Sequence, residues 1–235
     1  AREGDVPALR ELWKEAFGDG DRFLDQFFEG PFAPERSRVA VVEGAVSGAL
    51  YWFPASCKGQ SLAYLYGVAT AARLRGRGLC GGLMADTQAY LSAQGIDGML
   101  LVPGSASLFR FYARLGYAPC CPQGRMKVQA AGPALPLKPV SPRRYGELRR
   151  TLLPPGGVCQ EGINLEFQAG LSQLYGGKDL LLAATRQEDG TLLASELLSR
   201  DPIAAAPRIL KTLKAIVQLA VCVQVSTTQC QSKVF

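Results

Sequence analysis

The feature that most constrains this chain is a stretch rich in glycine and arginine, Arg73–Gly82, which has the sequence RLRGRGLCGG. It follows a segment rich in aromatic and β-branched residues and precedes a helical apolar pattern that begins at Leu79. Glycine lets the backbone approach a ligand closely, and the unpaired amides at the start of a helix favour an anion. The stretch therefore predicts a loop that binds a phosphate-bearing small ligand at a helix N-terminus.

Two other phosphate-binding motifs have to be weighed against this interpretation. Residues Gly76–Gly81 match the spacing GxGxxG, which in dinucleotide-binding folds lies in the tight turn directly after the first strand of a βαβ unit. Here a predicted antiparallel hairpin precedes the loop, and Asp97 begins the next strand instead of ending it. No Lys-Ser or Lys-Thr follows the glycines, as a Walker A loop requires. The context argues against both folds.

The spacing of apolar residues predicts the elements on both sides of the loop. An antiparallel meander comes before it, and a helix, a strand and a second helix follow. The predicted helices lie at 5–18, 21–30, 79–95, 107–115, 141–153, 162–175 and 202–214, and the predicted strands at 39–42, 45–53, 61–70, 98–103, 179–185, 191–198 and 216–225. The chain is therefore expected to be an α/β (α+β) protein.

A stretch rich in Pro, Ala and Gly from Ala130 to Pro142 predicts a linker. Beyond it, the order helix, helix, hairpin, helix, strand roughly repeats the first half, but without a loop rich in glycine and arginine. We therefore predict two domains, 1–129 and 139–235. The last ten residues carry no clear pattern.

The composition excludes several kinds of site. The chain has no His, which excludes Ser-His-Asp and Cys-His catalysis, HExxH zinc sites and facial-triad iron sites. Its seven Cys contain no CxxC pair, so we expect no metal site, and their irregular spacing is typical of free thiols in a reducing compartment. No apolar run approaches the ~20 residues that cross a bilayer. We expect a cytoplasmic protein with no membrane partner.

The segment Tyr64–Tyr117 resembles the GNAT superfamily of acyl-CoA-dependent N-acyltransferases. The family's loop motif is Arg or Gln, two residues, Gly, one residue, then Gly or Ala, and it fits best as Arg75–Cys80 because the helix must begin directly afterwards. The frame Arg73–Gly78 also matches. In the preferred frame, Cys80 stands where Gly or Ala is usual. The stretch Gly67–Thr70 resembles the splayed strand whose backbone pairs with the pantetheine arm.

A further motif of the family is Phe/Leu-Tyr followed after three residues by Gly-Phe/Tyr, which Phe111–Tyr117 resembles. The Asn expected seven residues before Tyr112 is replaced by Ser105. The resemblance implies a GNAT fold, with a mixed, mostly antiparallel central sheet flanked by helices. It also implies that the C-terminal α+β half is a degenerate GNAT-like copy.

The activity that the resemblance implies is transfer of an acetyl group from acetyl-CoA to a primary amine by direct attack in a ternary complex. It assigns the oxyanion donor to the Val68 amide and the acid for the leaving thiolate to Tyr112. Thirteen residues are implied to bind acetyl-CoA, namely Val68, Ala69, Thr70, Arg75, Gly76, Arg77, Gly78, Leu79, Cys80, Gly81, Ser105, Phe109 and Tyr112.

The general base has no candidate on the third strand, because residues 62–66 include no carboxylate. The alternatives are a water chain or the acids Asp21, Asp25 and Glu29, for which a solvated helix face is the favoured interpretation. A helix N-terminus can lower the pKa of a thiol, but direct transfer needs no such nucleophile, so we expect Cys80 to be structural.

Two other functions stay open. A non-catalytic acyl-CoA sensor is favoured by the missing carboxylate and by Cys80 and Ser105, whereas the presence of Tyr112 favours an enzyme. The resemblance also leaves open an aminoacyl transferase that uses charged tRNA, because tandem GNAT-like layouts occur in such enzymes and residues 121–235 carry a charge of +6. A short arginine cluster does not otherwise predict a nucleic-acid partner. The acceptor amine and the oligomeric state stay open.

Overall fold

The chain divides into two units that each contain paired strands and helices. The computed structural model describes residues 1–213 and 217–234, with the backbone alone for 121–126 and 217–234. The N-terminal unit is Ala1–Ala118 together with the end of the chain from Gln231, and the C-terminal unit is Pro119–Cys230. The domain boundaries 1–129 and 139–235 stay a prediction.

The N-terminal unit contains the elements predicted for it, in the predicted order. The strands β1, β2 and β3 form an antiparallel meander, and β4 pairs parallel with β3 after the crossover helix α3. The sheet is therefore mixed and mostly antiparallel, as expected. The elements are α1 (Val6–Phe17), α2 (Asp21–Phe28), β1 (Ser37–Val42), β2 (Ala45–Cys57), β3 (Gln60–Thr70), α3 (Leu79–Ala93), β4 (Gly98–Leu101) and α4 (Ala106–Arg114).

Successive side chains of a strand point to opposite faces of the sheet, and those of β2 are buried on both faces. On one side, Leu50 and Trp52 belong to a buried cluster that contains residues of α3 and α4. On the other side, the Tyr51 ring lies 5.4 Å from that of Trp13 and 5.0 Å from that of Phe27. Each large apolar side chain buried in this way contributes about 1.5–3 kcal/mol.

The C-terminal unit repeats this pairing pattern. Strands β8, β9 and β10 are antiparallel neighbours, and β11 pairs parallel with β10 after the helix α7. The strand β6 adds to β8. The elements are β5 (Ala118–Val128), β6 (Lys138–Pro139), α5 (Pro142–Leu152), β7 (Cys159–Gln160), α6 (Ile163–Leu171), β8 (Gln173–Gly177), β9 (Leu180–Arg186), β10 (Thr191–Ser199), α7 (Pro202–Thr212) and β11 (Val217–Val234).

The helix predicted at 162–175 is shorter than expected. The chain leaves the helix at Ser172, whose backbone is extended, and 173–177 form β8. Gly176 and Gly177, which directly follow the predicted helix, allow close packing within β8. A Cβ on Gly176 would lie 2.7 Å from Leu148 Cδ1, and one on Gly177 would lie 2.5 Å from the Pro136 carbonyl oxygen. Glycine inside a strand commonly marks such an approach.

The linker prediction also needs correction. Lys138–Pro139 form a short strand within it, and β5, which precedes it, was not predicted. Strand β2 extends past the predicted end at Phe53 to Cys57. The predicted ends at Lys214 and Ile216 lie outside the described residues. In the described ranges, we find no helix with the length and hydropathy needed to cross a membrane.

Candidate functional site

A β-bulge near the end of β3 is the first element of the site. Tyr66 lies opposite Tyr51 and Ala69 opposite Ala49, so the two residues Gly67 and Val68 face a single residue of β2. Gly67 has a φ of +57°, in the left-handed region that favours glycine. A bulge re-aims the residues beside it, and here these are the residues predicted to contact the donor.

Strands β3 and β4 separate before β3 ends. Their parallel pairing covers Leu62–Tyr64 opposite Gly98–Leu100, and the described residues show no pairing of the later part of β3 with β4. The edge of β3 from the bulge to Thr70 is therefore available for main-chain hydrogen bonds to an extended ligand, as an open strand edge is.

The glycine loop ends at an uncapped helix. Gly78 is the N-cap residue of α3, with a φ of +82° and no side-chain hydrogen bond to the helix. The first amides of a helix have no partner within it. Gly76 also has a positive φ of +77°, and a Cβ at either glycine would meet nothing within 4 Å. Backbone conformation therefore explains these glycines, and the loop leaves room for an anion in front of α3.

Three polar contacts fix the loop to the rest of the N-terminal unit. The Ala72 amide donates to Glu15 Oε1 at 2.7 Å. Arg73 Nη2 donates to Ser47 Oγ at 3.1 Å, and Arg75 Nε donates to the Thr70 carbonyl oxygen at 3.0 Å. This last contact uses only the Nε of Arg75, so the two terminal nitrogens of its exposed guanidinium lie beside the loop. Sequence patterns do not predict the Glu15 contact, because Glu15 and Ala72 lie 57 positions apart.

These features meet in one cavity of about 600 Å³, within the usual range for small-molecule sites. It is lined by the end of β3, the glycine loop, the first turn of α3 and one side of α4. Its described lining contains no Asp or Glu. The lining residues are Ala16, Phe17, Val68, Ala69, Thr70, Leu74, Arg75, Gly76, Gly78, Leu79, Cys80, Gly81, Leu108, Phe111, Tyr112 and Arg114.

Most of the residues implied to bind acetyl-CoA thus lie together, but three do not line the cavity. Arg77 is exposed on the loop. Ser105 precedes α4 and its hydroxyl lies 2.9 Å from that of Ser107. Phe109 is half-buried. Neighbouring positions that sequence reasoning missed, Leu108 and Phe111, line the cavity instead; these follow from helical spacing around Tyr112.

Tyr112 and Cys80 lie side by side in the wall. Tyr112 is only 6% exposed, and burial together with the nearby Cys80 raises the pKa of its phenol above the usual range. Burial also raises the pKa of the Cys80 thiol, although a hydrogen bond with Thr70 opposes this effect. Tyr112 therefore holds its proton at neutral pH, and Cys80 is a thiol and not an activated thiolate.

The acids considered as a general base are used elsewhere or lie away from the lining. Arg10 Nη2 lies 3.2 Å from Asp21 Oδ1 and 2.8 Å from Asp25 Oδ1. Hydrogen bonding to Lys14 is the main cause that lowers the pKa of Asp21. Glu29 follows the end of α2 and is exposed. These contacts agree with a solvated helix face for Asp21 and Asp25.

The comparison with protein families gives one match. A family model described as "Acetyltransferase (GNAT) domain" matches residues 1–120. No curated protein matches the sequence. The matched residues include the bulge, the glycine loop and α4.

Solved structures share the fold at low sequence identity. A GCN5-related N-acetyltransferase from Kribbella flavida superposes with a TM-score of 0.73 and 16% identity, over 100% of this chain and 69% of that one. Eis1 from Mycobacterium abscessus gives 0.72 and 11%, over 100% and 72%. A tandem GNAT protein from the clavulanic acid biosynthesis pathway gives 0.58 and 12%, over 99% and 95%. At these identities the likeness concerns the fold.

Proposed function

The chain belongs to the GNAT acetyltransferase family, and we propose that it transfers an acetyl group from acetyl-CoA to a primary amine by direct attack in a ternary complex. Members of this family are acyltransferases that use acyl-CoA. One observation carries the proposal: the bulge of β3, the glycine loop at α3 and the phenol of Tyr112 line the same cavity.

The donor would lie along the edge of β3 and end at α3. The diphosphate of CoA carries negative charge, which the uncapped amides of α3 and the guanidinium of Arg75 attract. The pantetheine arm contains amide groups that can exchange main-chain hydrogen bonds with Val68–Thr70, where β4 has already ended its pairing. This placement brings the thioester to the bulge.

At the bulge, the amine nitrogen attacks the thioester carbon, so that a C–N bond forms and the carbonyl oxygen becomes an oxyanion. The Val68 amide donates to this oxygen; one such donor contributes about 10²–10³ in rate. The C–S bond then breaks, and Tyr112 gives its proton to the departing thiolate. A positioned acid of this kind contributes about 10²–10⁴.

The proton of the amine leaves through water in this proposal. The described lining of the cavity holds no carboxylate, and Asp21 and Asp25 are paired with Arg10. A water chain needs no side chain with a shifted pKa, but it does require an amine that is already partly unprotonated. The rate should therefore rise with pH up to the pKa of the acceptor amine.

Calorimetric titration with acetyl-CoA and with free CoA tests the donor site. We expect micromolar binding of both ligands, and a loss of about tenfold or more for Arg75→Ala, since a charge-assisted hydrogen bond contributes about 1.5–3 kcal/mol. Arg77→Ala should weaken binding less, because Arg77 lies outside the cavity lining. Arg22→Ala on exposed α2 is the matched control. Absence of binding to the wild-type protein would refute the proposal.

Thiol release from acetyl-CoA with a panel of primary amines tests the chemical step. Tyr112→Phe keeps the ring and removes only the hydroxyl, so kcat should fall about a hundredfold or more while acetyl-CoA affinity is unchanged. Tyr117→Phe, which changes a neighbouring buried phenol, is the matched control. Equal kcat for Tyr112→Phe and wild type would contradict the acid role. Tight binding without thiol release for any amine would favour the acyl-CoA sensor.

A further inference from the structure

The bulge of β3 is packed against one side chain of α1, that of Trp13. A Cβ placed on Gly67 would lie 2.5 Å from Trp13 Cζ3 and 2.7 Å from Trp13 Cη2, distances that real Cβ atoms do not show. The third nearest atom is Tyr51 Cδ2, at 3.0 Å. The edge of the Trp13 indole thus lies directly on the backbone of Gly67, and the side chain is only 3% exposed.

The indole itself has a fixed orientation. Its Nε1 donates to Asp19 Oδ2 at 2.8 Å, just beyond the end of α1. Its ring lies 4.7 Å from the Phe27 ring and 5.8 Å from the Tyr66 ring. A hydrogen bond at one end and ring contacts around the other leave the indole little freedom to rotate, as aromatic pairs with a polar partner do.

We propose that Trp13 is a positioning residue, which holds Gly67 in its left-handed conformation and thereby sets the direction of the Val68 amide toward the thioester oxygen. This inference rests on the proposed function. A positive φ is available to glycine without a steric penalty, but glycine also has many other conformations open to it. The indole contact excludes those that would move the backbone toward α1. The bulge then keeps one geometry, as an oxyanion donor requires.

This role makes a specific demand on residue size. Only glycine at 67 allows the indole to lie so close, and only a large flat side chain on α1 reaches the bulge while its nitrogen bonds Asp19. A smaller ring at 13 would leave a gap beside Gly67 into which the backbone can relax. The Val68 amide would then occupy several directions, although the glycine loop and the diphosphate site stay unchanged.

The hydrogen bond from the Val68 amide to the thioester oxygen can be measured by infrared spectroscopy of bound acetyl-CoA labelled with ¹³C at the thioester carbonyl. In the wild-type protein we expect the carbonyl band at lower frequency than in solution. In Trp13→Phe, and in Asp19→Ala, which removes the acceptor of the indole hydrogen bond, the band should move back toward the solution frequency and broaden. Affinity for free CoA, which lacks the carbonyl, should stay within about twofold, and kcat should fall about tenfold, part of the loss expected for a whole donor.

Trp52→Phe is the matched control, because Trp52 is the other tryptophan of the chain, is 8% exposed and packs in the cluster with Leu65 and Tyr90. Its band should equal that of the wild type. Asp19→Ala keeps the indole but removes its hydrogen-bond acceptor, so this variant decides the matter if Trp13→Phe does not fold. A wild-type band in both variants, or an unshifted band in the wild-type protein, overturns the inference alone; failure of the wild-type protein to bind acetyl-CoA overturns the proposed function as well.

Discussion

The two units share a chain path but differ at the helix that crosses between parallel strands. In the N-terminal unit, α3 follows β3 after a glycine loop and begins at Gly78, which has no side chain to cap it. In the C-terminal unit, α7 follows β10 almost at once. Its N-cap is Asp201, whose carboxylate accepts a hydrogen bond from the Ala204 amide at 3.0 Å.

This difference shows how one topology can make or remove an anion site. A carboxylate at the N-cap satisfies an amide and places a negative charge where a phosphate would lie. A glycine at the same position leaves both the amides and the space free. We therefore propose that the C-terminal unit, although its strands pair in the same pattern, binds no acyl-CoA.

The two units also differ in the side chains that lie beside the bulge of the strand before the crossover helix. In β10, Ser195 is the extra residue between Ala194 and Glu196. The Glu196 carboxylate beside it lies 2.8 Å from Arg149 Nη2 and accepts a hydrogen bond from the Tyr145 hydroxyl at 2.9 Å. In the N-terminal unit, the Trp13 indole packs against Gly67 of the bulge instead. The Glu196 side chain beside the C-terminal bulge thus belongs to a buried polar network, although Ser195 itself is exposed, whereas Val68 of the N-terminal bulge lines a cavity.

The largest effect we predict comes from breaking that network. Glu196→Ala removes the ion-pair partner of the Arg149 guanidinium, a residue that is only 8% exposed. Removing one partner of a buried pair costs about 3–5 kcal/mol. Urea unfolding followed by circular dichroism should show this loss for the structural transition that includes the C-terminal unit.

Glu188→Ala, in the exposed turn between β9 and β10, is the control and should change stability by less than about 0.5 kcal/mol. Binding of acetyl-CoA should survive Glu196→Ala wherever the N-terminal unit stays folded. If Glu196→Ala and Glu188→Ala gave equal stabilities, the polar network would not be what holds the second bulge.

Much of the fold follows from local signals in the sequence. Ser141 and Pro142 predict the start of α5, and the Ser141 hydroxyl does accept a hydrogen bond from the Arg144 amide. Gly18 ends α1 with a φ of +75°. The glycine loop and the helix that follows it were also predicted. Each of these depends on neighbours within a few residues, which is why a single sequence contains the information.

What the sequence did not predict depends on contacts between distant residues. Glycines such as Gly176 and Gly177 are typical of the end of a helix. Only their close approach to Leu148 and Pro136 shows why they lie in a strand. In the site, the motif predicted the loop and Tyr112, but not the indole of Trp13 against Gly67. The sequence alone does not distinguish a glycine that is required by contact with another side chain from one that is required by a turn.

The next effect concerns the N-cap itself. Gly78→Asp puts into α3 the cap that α7 has, and Asp accepts a left-handed conformation better than most residues. The new carboxylate would repel the diphosphate; two charges about 4 Å apart interact by about 1–4 kcal/mol between the dielectric of water and that of a protein surface. Titration calorimetry should therefore show acetyl-CoA binding weakened by at least tenfold relative to Gly78→Asn.

The comparison with Gly78→Asn isolates the charge, because the two side chains have the same shape and impose the same backbone strain. Both variants should lose a little stability for the unfavourable φ of +82°. Equal acetyl-CoA affinities of Gly78→Asp and Gly78→Asn would show that a negative charge at the N-cap does not prevent binding. The proposed lack of acyl-CoA binding at α7 would then need another explanation.

The smallest effect is the converse change in the C-terminal unit. Asp201→Ala removes the cap of α7 and should cost about 1 kcal/mol of stability, the usual value for a lost N-cap. Calorimetry should still show one acetyl-CoA per chain, because α7 follows β10 without the glycines that allow close approach in the loop before α3. Opening the N-terminus alone does not make a site. Asp179→Ala, which removes an exposed acid paired with Arg200 at 3.6 Å, serves as the control. A second equivalent of acetyl-CoA bound by Asp201→Ala, and not by Asp179→Ala, would show that the cap charge is sufficient by itself to distinguish the two units.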